Sequence, residues 1–139
     1  MWWICALLSA LFAALTAVLA KVGIRGVDSN LATAVRTAVV LVLAWGVVYF
    51  RGGLDGIYGL TRTNWLFLGL SGVATGLSWL FYFRALQLGK VSQVAPVDKL
   101  SVALAIGLSV LFLGEKLTLH TGIGAGLIII GTLVLIWGQ

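Results

Sequence analysis

Apolar residues along this chain fall into five long runs, separated by short segments rich in glycine, charge and hydroxyl groups. The runs cover residues 2–22, 31–50, 65–88, 92–113 and 118–137. A hydrocarbon core of roughly 30 Å takes about 20 helical residues to cross, so each run predicts one transmembrane helix. The predicted architecture is all-α: a polytopic membrane protein with one membrane domain over residues 1–139 and five spanning helices. For the first run a cleaved signal peptide is the rival reading, since Ala17 to Ala20 has small residues at a plausible cleavage position, but no basic segment precedes it. Between the first two runs, Asp28, Ser29 and Asn30 each offer a cap for the second helix.

The fourth run departs from the pattern. Val91 to Gly114 reads VSQVAPVDKLSVALAIGLSVLFLG and holds the chain's one proline, Pro96, followed by Asp98 and Lys99. A helix starting near Ser92 puts Lys99 about 11 Å inside it, approaching the bilayer middle. On a continuous helix Ser92, Pro96, Lys99, Ala103 and Gly107 form one stripe, with Asp98, Ala105 and Ser109 on an adjoining face. Pro96 then removes an amide donor and frees a carbonyl in the preceding turn, which suits backbone buried in protein or lining a cavity. The other reading puts Pro96 at the first helical position and leaves Asp98 and Lys99 in a first turn beside the headgroups.

Other polar and aromatic groups inside the runs each carry two readings. Arg36 lies about 9 Å from the start of the second helix, where it either snorkels to the headgroups or faces inward to an anion or a backbone carbonyl. Trp79 and Tyr82 are three residues apart and share a face, as belt and packing aromatics or as walls of a binding pocket. Gly72 and Gly76 in the third run, and Gly122, Gly124, Gly126 and Gly131 in the last, give faces on which a helix backbone packs closely.

Composition narrows the class. With 61% hydrophobic residues, 9% charged residues and a mean hydropathy of +1.13, a chain of 139 residues is too apolar for a soluble domain. The formal net charge of +5 comes from basic residues scattered along the chain, so nucleic acid is not an expected partner. Cys5 is the one cysteine and His120 the one histidine, which leaves no intrachain disulfide and no metal cluster to expect, and no cofactor is implied. Without a nucleophile–base pair or a carboxylate pair, enzymatic chemistry has no support either.

The segment YFRALQLGKVSQVAPVDKLSVALAIGLSVLFLGEKLTLHTGIGAGLIIIGTLVLIW resembles the terminal half of an EamA-like protein of the drug/metabolite transporter superfamily. The likeness rests on Ala85 and Leu86, on the Ala95–Pro96 pair, on the Leu113, Gly114 and Glu115 turn, and on the glycine-rich last helix. SNLATAVR, which places Arg36 after a capped helix start, extends it to the first two helices. The resemblance implies a transporter. Members of the superfamily commonly contain two five-helix repeats in opposite membrane orientations, and this chain has the length of one, so the resemblance implies a partner. The similar small multidrug resistance proteins solve this by antiparallel dimerisation, and an antiparallel homodimer is the expectation here.

Loop charge permits that arrangement. Arg51, Arg62 and Lys116 fall on the N-terminal side, and Lys21, Arg25, Arg84 and Lys90 on the opposite one, three against four, which permits both orientations; counting Arg36 and Lys99 with the latter makes six against three, which favours one. The small multidrug exporters also carry a glutamate in their first helix, where this chain has only apolar and small residues from Trp2 to Ala20. The embedded groups Arg36, Asp98 and Lys99 sum to a positive charge, which suits an anionic, zwitterionic or neutral polar solute rather than a lipophilic cation. The sequence therefore predicts a multi-pass protein of the cell inner membrane that transports a small molecule through the bilayer. Arg36, Trp79, Tyr82, Asp98 and Lys99 are its candidate substrate or ion pathway. The alternatives are a lipid-carrier flippase subunit, a small multidrug exporter and a non-transporting assembly partner.

Overall fold

The computed structural model describes residues 1–137, and the described residues form helices and links without a β-strand. The helices are α1 (Trp2–Gly23), α2 (Ser29–Phe50), α3 (Arg62–Leu88), α4 (Val91–Asp98), α5 (Leu100–Leu113) and α6 (Leu119–Trp137), with a 3-10 segment at Leu54–Gly59. Val91–Leu113 counts as one span, so five helical segments are long and apolar enough to cross a membrane. The fold class is the one the apolar runs predict.

Helix starts follow side-chain chemistry. Asp28 caps α2, its Oδ1 accepting from the Asn30 and Leu31 amides at 2.9 and 3.1 Å, so the helix opens at Ser29 rather than at Leu31. Thr61 and Thr118 do the same before α3 and α6, accepting from the Asn64 and Thr121 amides at 3.2 Å. α3 opens at Arg62, three residues before the apolar run, because the cap sits in the polar link. At the end of α5 Gly114 takes φ +68°, and the Glu115 amide returns to the Ser109 carbonyl at 3.3 Å; glycine adopts this left-handed turn without a Cβ clash.

The fourth span is two helices that meet at Lys99. Pro96 is the sixth residue of α4, not the first of a helix, which overturns the reading that leaves Asp98 and Lys99 in an opening turn. With no N–H, Pro96 makes no bond back to the carbonyl four residues earlier. One turn later the Lys99 amide is shared between the Ala95 and Pro96 carbonyls at 3.3 and 3.0 Å, and the Val102 amide bonds to the Lys99 carbonyl at 3.0 Å, an i to i−3 step. The stripe expected from one continuous helix is therefore interrupted at its third member, Lys99.

Two compact units make up the chain. The first joins residues 1–18 to the segment from Leu88 onward, and its close backbone approaches are among α4, α5 and α6. Buried Thr132 of α6 donates to the Ile128 carbonyl of its own helix at 2.8 Å and reaches the Pro96 carbonyl at 3.2 Å, so α6 supports the broken span at its irregular turn. The second unit, Leu19–Gln87, buries Ile24, Ser29, Thr33, Phe83 and Leu86. Thr33 tolerates burial because its hydroxyl donates to the Ser29 carbonyl at 2.8 Å.

Most large apolar side chains on the spans face outward, and no span has more than 6% of its most apolar window buried. That surface needs lipid or another protein around it. A Cβ added at Gly72, Gly76, Gly122, Gly126 or Gly131 would meet no neighbouring atom within 4 Å, so these faces have room for closer packing.

Thr132→Val removes the hydroxyl that reaches Pro96 while keeping the volume. It is expected to lower stability by about 0.5–1 kcal/mol in denaturant unfolding of the micelle-embedded protein. An unchanged midpoint shows that the broken turn does not depend on α6.

Candidate functional site

One group of pathway candidates comes together in the second unit. The end of α1, the start of α2 and the end of α3 lie at the same side: the Lys21 ammonium donates to the Leu86 carbonyl, and the Gln87 amide donates to the Val27 carbonyl at 2.6 Å. The first of these bonds serves one of the carbonyls that a helix C-terminus leaves without an amide. Leu86, fully buried, and Phe83, 3% exposed, pack beneath this polar layer. Arg84 turns to Gln87, its Nη1 donating to Oε1 at 3.2 Å.

Arg36 lies one layer further in. Seven residues after Ser29, it is roughly 10 Å along α2 from the helix start. Its guanidinium carbon lies 4.0 Å from the centre of the Trp79 ring and 5.2 Å from that of Phe83. Trp79 is the deeper of these rings along α3, so the side chain is held against α3 rather than stretched along its own helix toward the headgroups. A cation over an aromatic face is attracted by the ring quadrupole, by about 0.5–1 kcal/mol at exposed sites and more when desolvated. The contact supplies no hydrogen-bond acceptor: Nη1 is buried without one, and among the described residues Arg36 makes no hydrogen bond or ion pair.

The sequence pairs Trp79 with Tyr82; at Arg36 the Phe83 ring joins Trp79, and Tyr82 is an electrostatic neighbour of the guanidinium. The i to i+4 spacing of Trp79 and Phe83 is as good a shared-face signal as i to i+3, and it was available in WLFYF. Tyr82 is half-buried next in the chain, its ring edge-on to Phe83 at 6.3 Å.

The remaining candidates, Asp98 and Lys99, belong to the first unit. The Lys99 ammonium is 3.3 Å from Asp98 Oδ2, an ion pair between sequence neighbours at the junction of α4 and α5. Their side chains are 55% and 34% exposed. With α4 starting at Val91, Lys99 sits roughly 12 Å along the span. An ion pair at that depth is costly beside lipid tails and is ordinarily turned to protein or to a water-filled path.

Five membrane-length helices with polar groups inside the spans define a multi-pass membrane protein. The family model of the EamA-like transporter family matches residues 1–137, and the chain belongs to that family. A Sinorhizobium sp. protein bearing the name uncharacterized transporter in cobO 3'region is 50% identical over 134 residues, which span 96% of this chain and 95% of that relative. An uncharacterized protein of Methanocaldococcus jannaschii is 42% identical over 66 residues, 48% of each chain. No solved structure matches the chain. Membership in the family makes the protein a membrane transporter.

The Trp79 ring shields one side of the Arg36 guanidinium, so removing it should open that group to reagents. Trp79→Leu is expected to raise the rate of Arg36 modification by phenylglyoxal about threefold, the factor that a stacking contact of this strength corresponds to. Peptide mass spectrometry of protein in nanodiscs measures it, and an unchanged rate places the guanidinium away from the ring in the bilayer.

Proposed function

We propose that this chain is a secondary transporter of the cell inner membrane. It moves a small polar, zwitterionic or anionic metabolite by alternating access, as an antiparallel homodimer. The observation that carries the reading is the exposed Asp98–Lys99 pair at a helix break within an otherwise apolar span. A charged pair at this depth needs a surface or an aqueous path to face. Within the unit that contains it, more than half of the Lys99 side-chain surface stays open. A second copy in the opposite orientation supplies such a surface and gives the pair of inverted repeats from which many carriers are built, with the site near the midplane.

Lys99 then bears the substrate or coupling charge, and Asp98 pairs with it and tunes it. In the other unit Arg36 serves transport as an anion-binding group, with Trp79 and Tyr82 as apolar wall. Alternating access follows from rocking of the two oppositely oriented protomers. The open glycine faces on α3 and α6 are available for contact between copies, because no side chain of the same chain occupies them. The near-full-length match to the Sinorhizobium relative supports the length of one repeat as a recurring unit. No enzymatic step is assigned to the site, since the pathway residues hold and release a solute without bond changes.

Two tests address separate parts of the reading. Reporters fused to either terminus are expected to reveal both orientations in a cell that expresses no second homologue, and a single orientation rules out the antiparallel homodimer. In proteoliposomes, Lys99→Ala and Asp98→Asn are each expected to lower solute flux at least tenfold, about 1.4 kcal/mol of lost stabilisation. Flux at the parental rate in both variants removes these residues from the pathway.

A further inference from the structure

Among the described residues, Arg36 Nη1 is the buried side-chain nitrogen that has no hydrogen-bond partner. The Lys21 ammonium has the Leu86 carbonyl, Arg84 has Gln87 and Lys99 has Asp98. Arg36 has aromatic faces at 4.0 and 5.2 Å and no acceptor. The carboxylates of its own unit do not serve it: Asp28 is engaged by the α2 amides, and Asp55 lies in the 3-10 link beyond the far end of α2. A guanidinium offers its N–H donors in one plane as a fixed fork. The ring contacts supply that fork with no acceptor, and a buried donor without an acceptor is destabilising.

The missing partner is thus defined by chemistry. It is an acceptor that enters along the edge of the guanidinium, and a negatively charged group with paired oxygens matches that fork in two parallel hydrogen bonds. Arg36 is half-buried as a whole, so one part of the side chain is closed off while another remains reachable. The neighbouring Trp79 and Phe83 rings hold the guanidinium in place and exclude water from part of it, which strengthens a charged contact made there.

We propose that Arg36, held against Trp79 and Phe83, is the seat for an oxyanion, a carboxylate or phosphate group, on the transported solute. The proposal rests on the transporter reading above and narrows its substrate to solutes that bear such a group. Trp79 and Phe83 act as positioning residues: they fix the guanidinium and need not touch the anion. Lys99 and Asp98 are not required for this seat, so the two assignments fail independently.

Protection against phenylglyoxal tests the seat without requiring flux. Protein purified in maltoside micelles is labelled in sodium chloride and, at equal ionic strength, in sodium acetate or inorganic phosphate. Modification of each arginine is followed by peptide mass spectrometry. Acetate or phosphate is expected to slow labelling of Arg36 at least about fivefold, while leaving Arg51 after α2 and Arg62 at the start of α3 unchanged. In Trp79→Leu and Phe83→Leu protein the protection is expected to shrink although Arg36 is still labelled, which a purely structural role for the rings does not produce. Equal labelling of Arg36 in all three salts overturns the proposal. Protection that appears only when phosphatidylglycerol is added to the micelles assigns the oxyanion to a lipid headgroup and overturns the assignment to a solute. Loss of protection together with normal flux by reconstituted protein rejects the seat and leaves the transporter reading in place.

Discussion

A lysine ammonium about 12 Å along an apolar span must be solvated by something other than hydrocarbon tails, and the backbone around Lys99 is arranged around that requirement. Pro96 deletes one amide, and the regular helix ends two residues later at Asp98. The amide of Lys99 is shared between two carbonyls, and α5 restarts from the Lys99 carbonyl. Asp98 neutralises the charge locally at 3.3 Å, while Thr132 of α6 reaches the Pro96 carbonyl that the irregular turn leaves open to a second donor. Break, ion pair and supporting hydroxyl are one device. The proline makes irregular backbone, the irregular backbone needs polar partners, and the polar partners bring a pair of ions into a bilayer-length segment.

Arg36 answers the same problem differently. Its charge has no carboxylate and no carbonyl, and the aromatic faces of Trp79 and Phe83 compensate only part of the loss of water. The Lys21 and Gln87 bonds close the polar end of that unit, and Phe83 and Leu86 form the buried layer beneath them. The unpartnered Nη1 separates Arg36 from Lys21 and Arg84, which lie nearby in the same unit but have partners.

Much of the fold was legible because bilayer physics leaves little choice: a run of about 20 apolar residues has to be a helix. Asp28 announced the start of α2, and the polar link ahead of Trp65 hid the start of α3 because Thr61 caps from outside the apolar run. The break at Lys99 was half legible. Pro96 signalled irregular backbone, yet proline suits both the opening and the interior of a helix, and periodicity cannot distinguish these when the flanking residues are apolar on every face. Phe83 escaped notice for a related reason. In WLFYFRAL nearly every position is aromatic or aliphatic, so which ring meets Arg36 depends on the packing of α2 against α3 and not on composition. The faces of Gly72, Gly76, Gly122 and Gly126 were readable as packing faces, but their vacancy within the chain required coordinates.

In the proposed homodimer the charged break of one protomer is completed by an oppositely oriented copy. Distances between spin labels in nanodisc-embedded protein test it most directly, with Cys5 replaced by serine and a single cysteine introduced at Lys116 or at Ala103. An antiparallel pair places the two Lys116 labels on opposite membrane faces, at least about 30 Å apart, while labels at Ala103 are closer together. A short distance between Lys116 labels, or labels without coupling at both positions, contradicts the account.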